Sequence, residues 1–121
     1  DSAAGLIYTV DVTKPSGEKV TILRMADGSP FDLNKRYKVA VNSYRGNGGG
    51  ELLTKGAGIP QEELKDRILF ATDKDLRFYL MQYIEKKEKV DAQPLNQWKM
   101  VPEEWTVPAA KREAESLFLR D

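Results

Sequence analysis

A run in which alternating apolar residues empty into a glycine cluster, Tyr37-Lys-Val-Ala-Val-Asn42-Ser43-Tyr44-Arg45-Gly46-Asn47-Gly48-Gly49-Gly50, most constrains how this chain can fold. Val39 and Val41 alternate with Lys38, Ala40 and Asn42, which predicts a strand with at least one buried face that ends at Asn42. Four glycines within positions 46 to 50 then open positive φ to the main chain and remove the Cβ atoms that would hold a ligand away. Tyr44 and Arg45 at the loop entrance supply a flat π face and a planar cation, groups that stack on nucleobases or hold phosphate and carboxylate. From the residues alone, two readings stand: a ligand loop, or a long flexible turn that happens to carry a tyrosine. Asn42 and Asn47 are as suited to brace the loop through side-chain to backbone bonds as to touch a ligand. Two phosphate motifs are excluded: the third glycine of the dinucleotide fingerprint is replaced by Glu51, and no Gly-Lys-Ser/Thr follows at P-loop spacing.

The flanking pattern predicts a sheet with helices laid on it. Leu6, Tyr8, Val10 and Val12 share one face of a first strand, and Ile7, Thr9 and Asp11 the other. Thr13-Lys-Pro15-Ser-Gly17 is turn chemistry, and Glu18 to Arg24 returns with Val20 and Ile22 on one side, so a hairpin is expected. Asp27-Gly28-Ser29-Pro30 marks the next reversal, leading through Phe31 to Arg36 into the third strand. Beyond the glycines, Glu51 to Lys55 predicts a short helical turn closed by Gly56 or Gly58. Pro60 to Asp66 opens like a helix, with proline first and acids in the first turn. Ile68 to Ala71 reads as a short buried strand, and Thr72 with Asp75 as a capping box for the helix that follows. In that helix Leu76, Tyr79, Leu80, Tyr83 and Ile84 recur at helical spacing, extended by Phe78 and Met81, which predicts a core-facing stripe. The lysines and acids from Glu85 to Lys89 read as its solvated end. Asn96 to Val101 predicts a last strand with Trp98 at the sheet's border, and Ala109 to Leu119 a terminal helix anchored by Leu117 and Phe118. The fold class is therefore α+β with an α/β-like element order: a mixed, partly antiparallel sheet with helices packed on it. The first strand starts close to Asp1, so one edge and its second face call for cover from elsewhere, as in a domain incomplete at its N-terminus.

Composition narrows the chemistry. The 121 residues make one domain at most, short for an enzyme that must also build a separate substrate pocket. Nineteen basic and nineteen acidic residues cancel, which argues against a surface that tracks a nucleic acid polymer. The sequence has no histidine and no cysteine, so the usual zinc ligands, imidazole bases and thiol nucleophiles are missing, and catalysis within this chain alone is not expected. No apolar run approaches the ~18 residues of a membrane span. The chain opens at Asp1 without a methionine or a targeting segment, as a processed or trimmed chain would.

Four separated elements, Gly5-Leu-Ile-Tyr-Thr-Val-Asp11, Tyr37 to Gly50, Asp73 to Ile84 and Leu95-Asn-Gln-Trp98, agree in order and approximate spacing with a known family. Together they resemble the C-terminal domain of the 5'-nucleotidase family, and within it the 2',3'-cyclic-nucleotide 2'-phosphodiesterase/3'-nucleotidase branch, where Asn-Tyr-Arg precedes the glycines. The resemblance covers about residues 5 to 102. It implies that residues 1–102 are the latter part of a substrate-specificity domain and that 103–121 form a C-terminal extension, expected from its sequence to be helical. By the same resemblance Tyr44 stacks on a nucleobase while the backbone at Gly48, Gly49 and Gly50 closes on the nucleoside, with Arg45, Asn42 and Asn47 completing the substrate-binding set. Many 5'-nucleotidases have an aspartate after the second glycine pair that contacts the ribose. Here Gly50 stands there, which favours the cyclic phosphodiesterase branch. The resemblance further implies a partner metallophosphoesterase domain on the N-terminal side that holds two divalent metal ions, with no metal and no catalytic residue in this chain. The implied partners are a nucleotide or nucleoside substrate and that domain, and the implied location is periplasmic or extracellular. A homodimer through the uncovered sheet, or a stand-alone nucleoside-binding or interaction module, is the alternative.

Overall fold

The computed structural model describes residues 1–118. In chain order it contains β1 (Leu6–Asp11), β2 (Val20–Met25), α1 (Ser43–Gly46), α2 (Leu76–Lys87), β3 (Trp98–Val101) and α3 (Glu103–Phe118), with short helical turns between α1 and α2. These elements gather into two compact units. Of the described residues, one holds Asp1–Lys35 and 93–118, the other Arg36–Ala92.

In the first unit the expected hairpin forms. β1 pairs antiparallel with β2, with Leu6 opposite Met25 and Val10 opposite Val20, and an irregularity between Ile7 and Tyr8. β3 joins the other side of β1 in parallel, Tyr8 opposite Trp98 and Asp11 opposite Val101, so the strand order is β2-β1-β3. The sheet is mixed and partly antiparallel, as its sequence predicts, and β3 is an edge strand that carries Trp98 at the border. Central placement explains why Tyr8 is the unit's buried residue, at 8% exposure. Its ring stacks on Trp98 with centroids 6.2 Å apart and planes 13° from parallel, and its hydroxyl accepts from the Ala3 amide at 3.1 Å.

The hairpin is closed by side chains that bond to its turn. The Asp11 carboxylate accepts from both the amide and the hydroxyl of Thr13, at 3.0 and 2.7 Å, and Lys19 Nζ donates to the Val12 carbonyl at 3.2 Å. α3 lies along β3, where Thr106 Oγ1 donates to the Met100 carbonyl at 3.3 Å and Lys99 pairs with Glu103. The terminal helix thus starts earlier than its apolar residues indicate. Leu117 and Phe118 are 70% and 81% exposed and do not anchor it, and Leu119 lies outside the described residues.

The second unit departs further from the sequence pattern. Its buried residue is Leu64, at 4% exposure. The third strand expected over Tyr37 to Asn42 does not form: Val39 is 76% exposed and the segment joins no ladder. The strand expected over Ile68 to Ala71 is likewise absent, with Phe70 at 83%. Alternation specifies which face a strand would bury, but a strand also needs a neighbour for its amides and carbonyls, and this unit contains none among the described residues. Pro60 to Asp66 makes two short turns with i to i+3 bonding, Gln61–Glu63 and Lys65–Arg67, where a single helix is expected. The turn after the glycines does form: Leu52–Gly56 closes through a bond from the Ala57 amide to the Leu52 carbonyl at 3.0 Å.

α2 is capped by Asp75, whose carboxylate accepts from the Phe78 amide at 2.9 Å. Thr72, the expected cap, instead donates to the Lys74 carbonyl at 2.8 Å. Aspartate wins because its charge also suits the positive helix terminus. The stripe of α2 is no core: Leu76, Tyr79, Leu80, Tyr83 and Ile84 are all exposed. The predicted helix is present, and its apolar stripe is exposed.

Candidate functional site

The glycine loop is built from Asn42 onward. Asn42 is the cap of α1: its side-chain oxygen accepts from the Arg45 amide and its carbonyl from the Gly46 amide, both at 2.9 Å. This single turn lifts Tyr44 and Arg45 out of the main chain. Asn47 then ends the turn, donating from its amide to the Ser43 carbonyl at 3.0 Å. Of the two asparagines, Asn42 therefore braces the loop through its side chain, and Asn47 through its backbone.

Positive φ follows at Gly48 (+91°) and Gly50 (+66°), which reverses the chain over the residues it has just left. The Glu51 amide closes the reversal on the Gly48 carbonyl at 3.1 Å. The bare faces of these glycines are filled from within the protein. A Cβ on Gly49 would lie 2.5 Å from both the Tyr44 carbonyl and its ring atom Cε2. On Gly50 it would lie 1.6 Å from Arg45 Nη1, and on Gly48 2.4 Å from Gln61 Oε1. Arg45 is folded back under the loop, where Nη1 donates to the Gly49 carbonyl at 3.1 Å.

Tyr44 is left standing outward. It is 63% exposed, with one ring edge against Gly49 and the Arg45 guanidinium carbon 5.3 Å from the ring centroid. A ring fixed at its edge and open over most of its surface can stack on a planar ligand. A shallow hollow of about 430 Å³ adjoins the loop, walled by Glu51, Lys55, Ile59 and Gln61 among others, and Tyr44 is not part of that wall. A second groove of about 400 Å³, lined by Trp98, Met100, Thr106 and Val107 among others, belongs to the first unit.

Gln61 is the residue that sequence reading does not pick out. Its amide nitrogen donates to the Asn47 carbonyl at 3.1 Å across fourteen positions, and nothing local to Pro60-Gln-Glu-Glu marks it as more than a turn residue. Two carboxylates have a lowered pKa, Asp11 through the Thr13 hydroxyl and amide and Asp27 through those of Ser29, and both close turns in the first unit. Among the described residues no three histidine, cysteine, aspartate or glutamate side chains are gathered so that they could hold a metal ion.

Residues 2–55, the stretch holding β1, β2 and the loop through Lys55, match the family described as 5'-nucleotidase, C-terminal domain, and the chain is related to that family. The fold accords with such an α+β domain. In an alignment 113 positions long that covers 84% of the chain, it is 28% identical to the trifunctional nucleotide phosphoesterase protein YfkN of Bacillus subtilis (strain 168). It spans 7% of that protein's length. No solved structure matches the chain significantly.

Proposed function

We propose that this chain binds the nucleoside portion of a nucleotide and orients it for a metal-dependent phosphoesterase domain, as the specificity part of a secreted nucleotide hydrolase. The observation that carries this reading is Tyr44, an open aromatic ring held by a hydrogen-bonded cap behind it and a glycine reversal in front. A base stacked on an aromatic side chain gains ~1–3 kcal/mol and does so with little regard to which base it is. Arg45, tied to the Gly49 carbonyl, stiffens that mount, so its first role is to hold the loop and not to meet phosphate. Asn42, Asn47, Gly48, Gly49 and Gly50 form the frame.

By the resemblance the two divalent ions sit in the partner metallophosphoesterase domain. The hydrolytic step goes with them, outside this chain. Its contribution is positional: fixing the base leaves the phosphoester fewer orientations to search, and such preorganisation can lower a barrier by several kcal/mol (~7–11 at the limit). Calorimetric titration of the chain with adenosine, with ribose as control, tests the reading. Saturable heat with adenosine alone is expected, and equal or absent heats overturn it. With Mn²⁺ or Zn²⁺ added, the chain should release no phosphate from 2',3'-cyclic AMP.

One observation favours a second reading, an interaction module without catalysis: the apolar stripe of α2 is exposed along its length. Light scattering distinguishes it by a concentration-dependent dimer whose nucleoside titration is unaffected by Tyr44→Ala.

A further inference from the structure

We infer that Gln61 is a positioning residue for the nucleoside loop, setting the conformation in which Tyr44 is presented; this rests on the nucleoside-binding role proposed above. Three observations converge on it. Gln61 Nε2 donates to the Asn47 carbonyl at 3.1 Å, at the point where α1 ends and the glycine reversal begins. That contact joins the loop to a segment fourteen positions on in the sequence, whereas the Asn42 cap and the Arg45 bond to the Gly49 carbonyl run between residues three and four apart.

The bare face of Gly48 receives the same side chain. A Cβ there would lie 2.4 Å from Gln61 Oε1 and 3.2 Å from both Cδ and Nε2, so glycine is needed at 48 for Gln61 to lie flat on the loop as well as for φ near +91°. Gln61 is itself held in place. It opens the turn Gln61–Glu63, whose bonds run from the Glu63 amide to the Pro60 carbonyl at 3.0 Å and from the Leu64 amide to the Gln61 carbonyl at 3.4 Å. Leu64, three residues on, is the buried residue of the unit. The best-anchored turn of this unit thus reaches back to the loop through one amide side chain.

The geometry assigns distinct roles to the two ends of that amide. The nitrogen must donate to a carbonyl, and an oxygen in its place would face the Asn47 carbonyl as acceptor against acceptor. Gln61→Glu keeps size and shape yet loses the donor at neutral pH, and Gln61→Ala removes the contact and leaves the Gly48 face empty. For both variants of the full chain, two readouts are taken: the amide NMR resonances of residues 47 to 50 with the Tyr44 ring signals, and the adenosine dissociation constant by calorimetry. The inference predicts that both variants move the loop amides and the Tyr44 ring signals while the β1–β2 hairpin signals stay in place. Adenosine binding should weaken roughly three- to tenfold, the loss expected for one partly exposed hydrogen bond. Loop and ring signals unchanged in both variants overturn it. Should the unaltered chain bind no adenosine, the nucleoside reading fails, and the loop resonances still decide whether Gln61 sets the loop.

Discussion

Gly50→Ala probes the frame behind Tyr44 at its tightest point. The added methyl would lie 1.6 Å from Arg45 Nη1 and 2.9 Å from Cζ, so the guanidinium must withdraw and give up its bond to the Gly49 carbonyl. Losing that partly exposed bond costs about 1 kcal/mol. Alanine held at φ +66° costs about 1–2 kcal/mol more, of which about 0.5–1 is returned by the stiffer unfolded chain. The net is about 2 kcal/mol, roughly a 30-fold acceleration of amide exchange at Glu51, whose hydrogen bond closes the reversal. In an Arg45→Ala background the guanidinium is already gone, and only the backbone part, about 1 kcal/mol, should remain. Hydrogen exchange measured over both pairs gives the coupling directly. Equal costs for Gly50→Ala in the two backgrounds would refute the claim that Arg45 occupies the glycine's bare face.

Tyr8→Ala removes the central ring of the sheet and its stacking on Trp98, and should cost about 3–4 kcal/mol with loss of the near-ultraviolet circular dichroism of Trp98; a retained Trp98 signal contradicts this placement. Thr13→Val deletes the hydroxyl that is the largest cause of the lowered Asp11 pKa, ahead of the Thr13 amide, with Lys14 and Lys19 contributing less. Because the folded value lies below the ordinary 3.8, the stabilisation is present above that pH and is lost as pH falls through the lowered folded value. The variant's carboxylate NMR titration should move up toward 3.8, and an unmoved midpoint would show that the hydroxyl is not the cause.

The first unit was legible because its signals are local. Alternation in Leu6 to Asp11, turn chemistry at Thr13 to Gly17 and a return at Val20 describe a hairpin without reference to anything distant, and Trp98 follows as the next strand. The Tyr37 to Asn42 segment carries an equally good alternation, yet Val39 and Val41 remain exposed, since periodicity fixes a face and cannot supply a neighbouring strand. α2 repeats the lesson, with the helix foreseen and its stripe uncovered. At the site, Asn42, Tyr44 and Arg45 were visible as residue types, whereas the direction of the Arg45 side chain depends on where the glycine reversal returns. The sequence presents the glycines as an approach for ligand, and in the structure Tyr44, Arg45 and Gln61 lie against one face each of Gly49, Gly50 and Gly48. Gln61 had no sequence signal because its partner is fourteen residues away and is a backbone carbonyl, which any residue could provide.

The ring of Tyr44 carries the account, and substituting it separates stacking from every other contribution. Calorimetric titration with adenosine should show Tyr44→Phe binding within about twofold of the unaltered chain, because the π face is kept. Tyr44→Ala should weaken binding by about 5- to 150-fold, the equivalent of ~1–3 kcal/mol of lost stacking. Equal affinity for the alanine variant and the unaltered chain would contradict the account.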